Sequence, residues 1–150
     1  MCVSFFMVGD IAMKHEFYMD IAIKEAFKAY KKNDVPVGCV IVKNGNVIAK
    51  AYNQKENKNI ALYHAEMLAI MKACKKLKTW HLEECILYTT LEPCIMCCGA
   101  IVQSRIQLVV YGTKNINLSG TSYIPNIKMI NMNKEECGKI LKDFFKRKRK

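Results

Sequence analysis

The stretch from Cys85 to Tyr111 constrains the fold more than any other. Cys85 to Leu91 (CILYTTL) is rich in β-branched and aromatic residues and reads as a strand. Pro93 or Cys94 then opens an apolar helix, and Gln107 to Tyr111 reads as a second strand. Strand, helix and strand in that order predict a right-handed parallel βαβ unit. The remaining segments fit around it. Apolar residues at Met19, Ala22, Ile23, Ala26, Phe27 and Tyr30 give one helix over Phe17–Lys32. Val37–Val42 and Val47–Tyr52 are two strands, and the Asn44-Gly45 between them is a strong hairpin signal, because both central residues of a type I′ turn need positive φ. A polar loop over Asn53–Asn59 leads to a helix over His64–Lys78, with Met67, Ile70, Met71, Cys74 and Leu77 as its buried stripe. Residues 112–126 read as loop, with a short strand near Lys128–Ile130 after them. Asn133 and Glu136 stand at capping-box spacing before a last helix carrying Ile140, Leu141, Phe144 and Phe145. The predicted class is α/β: a three-layer α/β/α sandwich around one mixed five-stranded sheet.

At 150 residues the chain is one domain with a single core. Residues 1–12 lack the amphipathic pattern that begins at Met13, so we expect a flexible extension over 1–12 and the domain over 13–150. The formal charge of +11, from 24 Lys+Arg against 13 Asp+Glu, favours an anionic partner, with nucleic acid ahead of a membrane surface. No stretch approaches the length of a membrane span. The 8 cysteines could form a disulfide framework. The start of the chain, however, has no basic n-region and no cleavage site of a secretory leader. A reducing, cytoplasmic setting is therefore expected, where clustered cysteines point to metal or catalysis.

The cluster is Cys94, Cys97 and Cys98. Cys94 and Cys97 fall at a predicted helix start, where unpaired N–H groups and the helix dipole favour thiolate. Cys-x-x-Cys alone leaves three readings open: two core cysteines, a thioredoxin-like dithiol, or half of a tetrahedral zinc site. A dithiol would need no distant partner, whereas a zinc site lacks a ligand. His64, in the triplet His64-Ala65-Glu66 at the next predicted helix start, supplies a nitrogen, and Glu66 puts an acid/base beside it. Three protein ligands leave one coordination position for water, the arrangement of a catalytic site. Two thiolates and a neutral imidazole bring Zn²⁺ to a net charge of about zero, so the site needs a carboxylate to take the proton of the water. His15 and His81 read as ordinary exposed residues, and Cys98 as core packing.

His64, Glu66, Pro93, Cys94 and Cys97 match the zinc-deaminase signature H-x-E…P-C-x-x-C. The segments LYTTLEPCIMCCGAIVQSRI, VPVGCVIV and Tyr52-Asn53 resemble those of the bacterial tRNA-specific adenosine deaminases. So does the ending ECGKILKDFFKRKRK, and the likeness covers Met13 to Lys150. The resemblance implies a cytidine-deaminase-like fold and hydrolysis of the wobble adenosine of a tRNA anticodon to inosine, by a homodimer with one Zn²⁺ per subunit. By carry-over His64, Cys94 and Cys97 hold zinc and Glu66 shuttles protons. Asn53 hydrogen-bonds the target nucleotide, and the Ala65 backbone lines the pocket. Lys146, Arg147, Lys148, Arg149 and Lys150 would pair with phosphates of the anticodon stem-loop, Phe144 and Phe145 anchoring their helix. The chain departs from the family at GTKNINLSGTS, where Asn115 replaces an Asp near the bound ribose, and Leu62-Tyr63 replaces Thr-Ala before His64. Asn115 is accordingly expected to relax the demand for a 2′-hydroxyl, which turnover of an all-deoxy anticodon hairpin would test. A deaminase of a free base or nucleotide is the alternative with the same chemistry. The basic excess speaks against it. A zinc-stabilised RNA-binding module would have no use for Glu66.

Overall fold

The computed structural model describes residues 5–117, 119–121 and 126–149, with only the backbone of 5–8. The elements are α1 (Phe5–Lys31), β1 (Gly38–Lys43), β2 (Asn46–Tyr52), α2 (Lys55–Lys58), α3 (Ala65–Leu77), β3 (Cys85–Leu91), α4 (Ile95–Gln103), β4 (Leu108–Thr113), β5 (Lys128–Asn131) and α5 (Glu135–Lys148). One five-stranded sheet has the order β2-β1-β3-β4-β5. β1 runs antiparallel to β2 and β3, whereas β3, β4 and β5 are parallel, so the sheet is mixed as expected. The hairpin turn is also as expected: Asn44 and Gly45 both have positive φ, 50° and 76°.

Strand alternation sorts the core into two layers. Cys39, Ile41, Leu87 and Val109 face α3 and α4, together with Ala65, Ala69, Ala73 and Ile101. Their neighbours Val40, Val42, Tyr88 and Val110 face α1 and α5, where Tyr18, Met19, Ala22, Ile23 and Cys137 pack. Each wholly buried Leu or Ile contributes about 1.5–3 kcal/mol. Glycine permits one close approach: a Cβ on Gly38 would lie 1.9 Å from the Ala22 carbonyl oxygen, so the absence of a side chain lets α1 lie directly on the start of β1.

Several local expectations need correction. α1 starts at Phe5, not Phe17, and its first described side chains, Gly9 to Lys14, are exposed. On α3 the buried stripe consists of Ala65, Glu66, Ala69, Ile70 and Ala73, while Met71 is exposed. Small residues let the helix lie close on the sheet, and hydrophobicity alone had pointed to the methionine. No capping box opens α5. Asn133 is left-handed (φ 48°) and Lys134 occupies the N-cap without a side-chain cap bond. Lys134 instead pairs with Glu16 and lies 3.6 Å from Asp20, both on α1. His15 is not an idle surface residue either: its Nδ1 lies 2.7 Å from the Tyr88 hydroxyl.

Candidate active site

Two helix starts meet beside the C-terminal end of β3. His64 is the N-cap residue of α3 and Cys94 that of α4, both with extended backbone, and Cys97 follows in the first turn of α4. These two helices pack on the same face of the sheet, which brings residues thirty positions apart in sequence together. His64 Nδ1 lies 3.6 Å from Cys94 Sγ and 3.6 Å from Cys97 Sγ, and the three atoms fall within 4.8 Å of one another. A tetrahedral zinc with nitrogen at about 2.0–2.1 Å and sulfur at about 2.3 Å separates N from S by about 3.5 Å, so these three side chains fit that ion as they stand. They are the one such group among the described residues, and no fourth His, Cys, Asp or Glu joins them. An ion held by these three side chains would have three protein ligands from the described residues.

Hydrogen bonds from Cys97 and then His64 outweigh burial and hold the Cys94 pKa down at about 4. The same bond to Cys94, together with burial, pushes Cys97 up. A bound dication would deprotonate both.

Glu66, one residue further into α3, is 4% exposed. Its Oε2 lies 3.5 Å from Cys97 Sγ, and its Oε1 3.2 Å from the Thr89 hydroxyl of β3. Burial, the largest cause, raises its carboxyl above the ordinary range. The structure thus gathers His64, Glu66, Cys94 and Cys97, as the sequence led us to expect. Ala65 opens α3, fully buried between the cavity-lining His64 and Glu66. Cys98 is buried against the Pro93 carbonyl.

Above the cluster lies a cavity of about 430 Å³, floored by His64, Glu66 and Cys94. That is large enough for a nucleoside-sized group. One rim is the loop after β2, with Asn53 and Lys55. The second is the loop after β4, with Lys114, Asn115, Ile116 and Asn117, and the third is α5, with Leu141, Lys142 and Phe145. Asn53 is buried, and its Nδ2 donates to Asp34 Oδ1 (3.2 Å). Asn115 donates from its backbone N–H to Glu92 Oε1 (3.1 Å).

The basic tail divides. Phe144 is buried (2% exposed), but Phe145 is 44% exposed on the cavity rim, so only the first of the pair anchors α5. Arg147 turns away from the cavity, its guanidinium 2.9 Å from Asn33 Oδ1 and 4.4 Å above the Tyr30 ring. Lys148 lies over the Phe144 ring. Arg149 is the C-cap residue of α5, four positions beyond Phe145. Lys146 stands in the same relation to Lys142, and Lys150 lies outside the described residues. Sequence reasoning missed the rim lysines Lys55, Lys114 and Lys142, which are scattered along the chain with no local signal. It also missed the buried acids Asp34 and Glu92, which hold the two rim loops.

Comparison with known proteins gives the family. The profile of the MafB19-like deaminase family matches residues 13–149. The tRNA-specific adenosine deaminase of Bacillus subtilis (strain 168) is 44% identical over 146 residues, covering 90% of this chain and 91% of the relative. That of Aquifex aeolicus (strain VF5) is 42% identical, covering 91% and 97%. The chain belongs to the tRNA-specific adenosine deaminase family. Among solved structures it resembles one from studies of A-to-I editing by tRNA:A34 deaminases at the wobble position of transfer RNA, with a TM-score of 0.79 and 31% identity over 84% of this chain and 99% of that one. A guanine deaminase from Bacillus subtilis aligns less completely, with a TM-score of 0.65 and 36% identity over 76% and 71%. The tRNA deaminase relatives thus match over more of both chains, and the fold is the deaminase sandwich. No helix among the described residues is long and apolar enough to cross a membrane.

Proposed function

We propose that this chain hydrolyses the wobble adenosine of a tRNA anticodon to inosine, releasing ammonia. The observation that carries the reading is a His64–Cys94–Cys97 cluster with tetrahedral spacing and an open side, set 3.5 Å from a buried carboxylate at the bottom of a lysine-rimmed cavity. Zinc, one ion per subunit, would supply Lewis-acid activation of the attacking water. Glu66 takes the proton of that water, hands it to N1 of the purine, and later delivers one to the departing amino group. Its burial, which raises the carboxyl above the ordinary carboxylate range, makes it a stronger base toward that water. The Thr89 hydroxyl holds one carboxylate oxygen and leaves the other toward the cluster. Asn53 binds the target nucleotide. The backbone N–H of Ala65, in the first turn of α3 where intrahelical acceptors are lacking, is the second polar contact.

The substrate is an anticodon stem-loop, whose unstacked bases cost less to extrude than those of a duplex. Lys55, Lys114 and Lys142 on the rim, continued by Lys146 and Arg149, can neutralise its phosphates. Phe145 offers a face on which a flanking base can stack. We extend the reading to a cytoplasmic homodimer, and the exposed Met71, Ile95 and Val102 of α3 and α4 offer a second copy an apolar surface.

The test is incubation of zinc-loaded protein with mixed tRNA and with free guanine, followed by nucleoside analysis. Inosine confined to position 34 is the expected result. Ammonia from guanine with unchanged tRNA would transfer the chain to the free-base deaminases.

A further inference from the structure

The loop that carries Asn53 hangs on one carboxylate. Asp34 follows α1, is wholly buried, and is remote in sequence from every residue it holds. Its Oδ2 accepts from the backbone N–H groups of Glu56 (3.1 Å) and Asn57 (3.0 Å) and from Asn57 Nδ2 (2.8 Å). Its Oδ1 accepts from Asn53 Nδ2 at 3.2 Å and, at 3.3 Å, shares the Glu56 N–H with Oδ2. Oδ2 thus makes the shorter bonds that fold the α2 turn, and Oδ1 holds the amide of Asn53.

An ionised carboxylate only accepts hydrogen bonds. The Asn53 amide therefore has to offer Nδ2 to Asp34, which fixes its rotation and settles where its oxygen goes. No hydrogen bond to Asn53 Oδ1 is made among the described residues, and no buried side-chain oxygen or nitrogen there lacks a partner. Since Asn53 lines the cavity, Oδ1 faces that space.

We infer that Asp34 is a positioning residue for the deamination: it locks Asn53 so that a carbonyl oxygen, an acceptor, meets the substrate. The inference rests on the tRNA deaminase reading. The group Asn53 recognises is then a donor of the bound nucleotide, a hydroxyl or an N–H. Asp34 never touches the substrate. Its effect passes through the rotation of one amide, which would otherwise present N–H and oxygen in either orientation. A residue that hydrogen-bonds the substrate from a freely flipping amide would lose both alignment and discrimination.

The informative variant is Asp34→Asn. With its own oxygen at the Oδ2 position it keeps the three shorter bonds from residues 56 and 57, and with its NH₂ at the Oδ1 position it gives up only the longer share of the Glu56 N–H (3.3 Å) and faces Asn53 donor to donor. The Asn53 amide then turns over and presents Nδ2 to the cavity. We expect kcat/KM on an anticodon stem-loop with adenosine at the wobble position to fall by about 10-fold or more, with zinc content and melting temperature close to those of the parent. Placed on an Asn53→Ala background, the same change should cost less than about 2-fold, because the amide it orients is gone. Equal losses on both backgrounds would show that Asp34 serves the loop alone and overturn the inference. So would full activity of Asp34→Asn. Failure of the parent protein to deaminate the hairpin would instead remove the proposed function itself, and the two failures are told apart in one assay series.

Discussion

Replacing Gly120 by alanine tests the way the loop after β4 is fastened to the start of α4. A Cβ on Gly120 would lie 2.5 Å from both N and Cα of Ile95 and 2.7 Å from the Cys94 carbonyl carbon. These are backbone atoms at the start of α4 and cannot rotate aside. Gly120 does not adopt the left-handed region, so alanine brings no backbone strain and the collision is isolated. To regain ordinary contact the loop has to retreat by about 1 Å, which takes the Gly120 N–H out of reach of the Pro93 carbonyl, now 3.1 Å away. Overpacking of this kind costs about 1–3 kcal/mol, and the lost hydrogen bond adds about 0.5–1.5. A total near 2–3 kcal/mol corresponds to a melting temperature lower by about 5–10 °C in a chain of this size. Thermal unfolding of zinc-loaded protein measures it. Release of zinc to a chelating dye, followed in parallel, should be faster, because Cys94 belongs to the backbone the loop presses on. A melting temperature within about 1 °C of the parent, with unchanged zinc release, would refute the close approach.

Three further outcomes are expected. Glu66→Gln keeps the Thr89 contact and the zinc content, yet lowers kcat by about 10²–10⁴; near-normal turnover would remove Glu66 from proton transfer. Phe144→Ala should destabilise the fold by about 3–5 kcal/mol in chemical denaturation, whereas Phe145→Ala should leave stability nearly intact and weaken hairpin binding by about 1–3 kcal/mol. The reverse pattern would mean that α5 is rotated about its axis, with Phe145 inside. Lys146→Ala with Arg149→Ala should flatten the salt dependence of tRNA binding by a slope of about 0.7 per lost phosphate contact, while Arg147→Ala should leave the slope and lower stability by about 1 kcal/mol.

The chemistry of this protein was legible because its residues sit at helix starts. Cys94 and Cys97 are an N-cap and a first-turn residue of one helix, and His64 and Glu66 play the same parts in another. Such positions carry fixed short spacings, so Cys-x-x-Cys and His-x-Glu survive as local patterns. The sheet was legible for a related reason: strand alternation and the Asn44-Gly45 turn are both short-range. Packing choices were not. Whether Met71 or Ala69 faces the sheet depends on how closely α3 approaches β1 and β2, a distance absent from any window of sequence. The entry of α5 misled for the same reason, since Lys134 is fixed by Glu16 and Asp20 of α1. The stack of Arg147 on Tyr30 was equally hidden, because its partner comes from a distant part of the chain.

The two buried acids that sequence reasoning missed show how recognition is separated from catalysis in this fold. Asp34 holds the loop that carries Asn53 and Lys55, and Glu92 holds the loop that carries Lys114 to Asn117 through the N–H of Asn115 and the hydroxyl of Thr121 at 2.6 Å. Neither acid contributes an atom to the His64–Cys94–Cys97 cluster. The floor of the cavity is set by helix starts packed against the sheet, whereas two of its three rims are held by side-chain hydrogen bonds to Asp34 and Glu92. Substitutions in those rims can therefore alter which nucleotide fits without displacing His64, Cys94 or Cys97. Substitutions at the helix starts cannot alter specificity without risking the reaction. A structure from studies of tRNA:A34 deaminases and a guanine deaminase both resemble this chain in fold, and the loops after β2 and β4 are the parts of this chain's cavity that lie outside the sheet and the two helix starts.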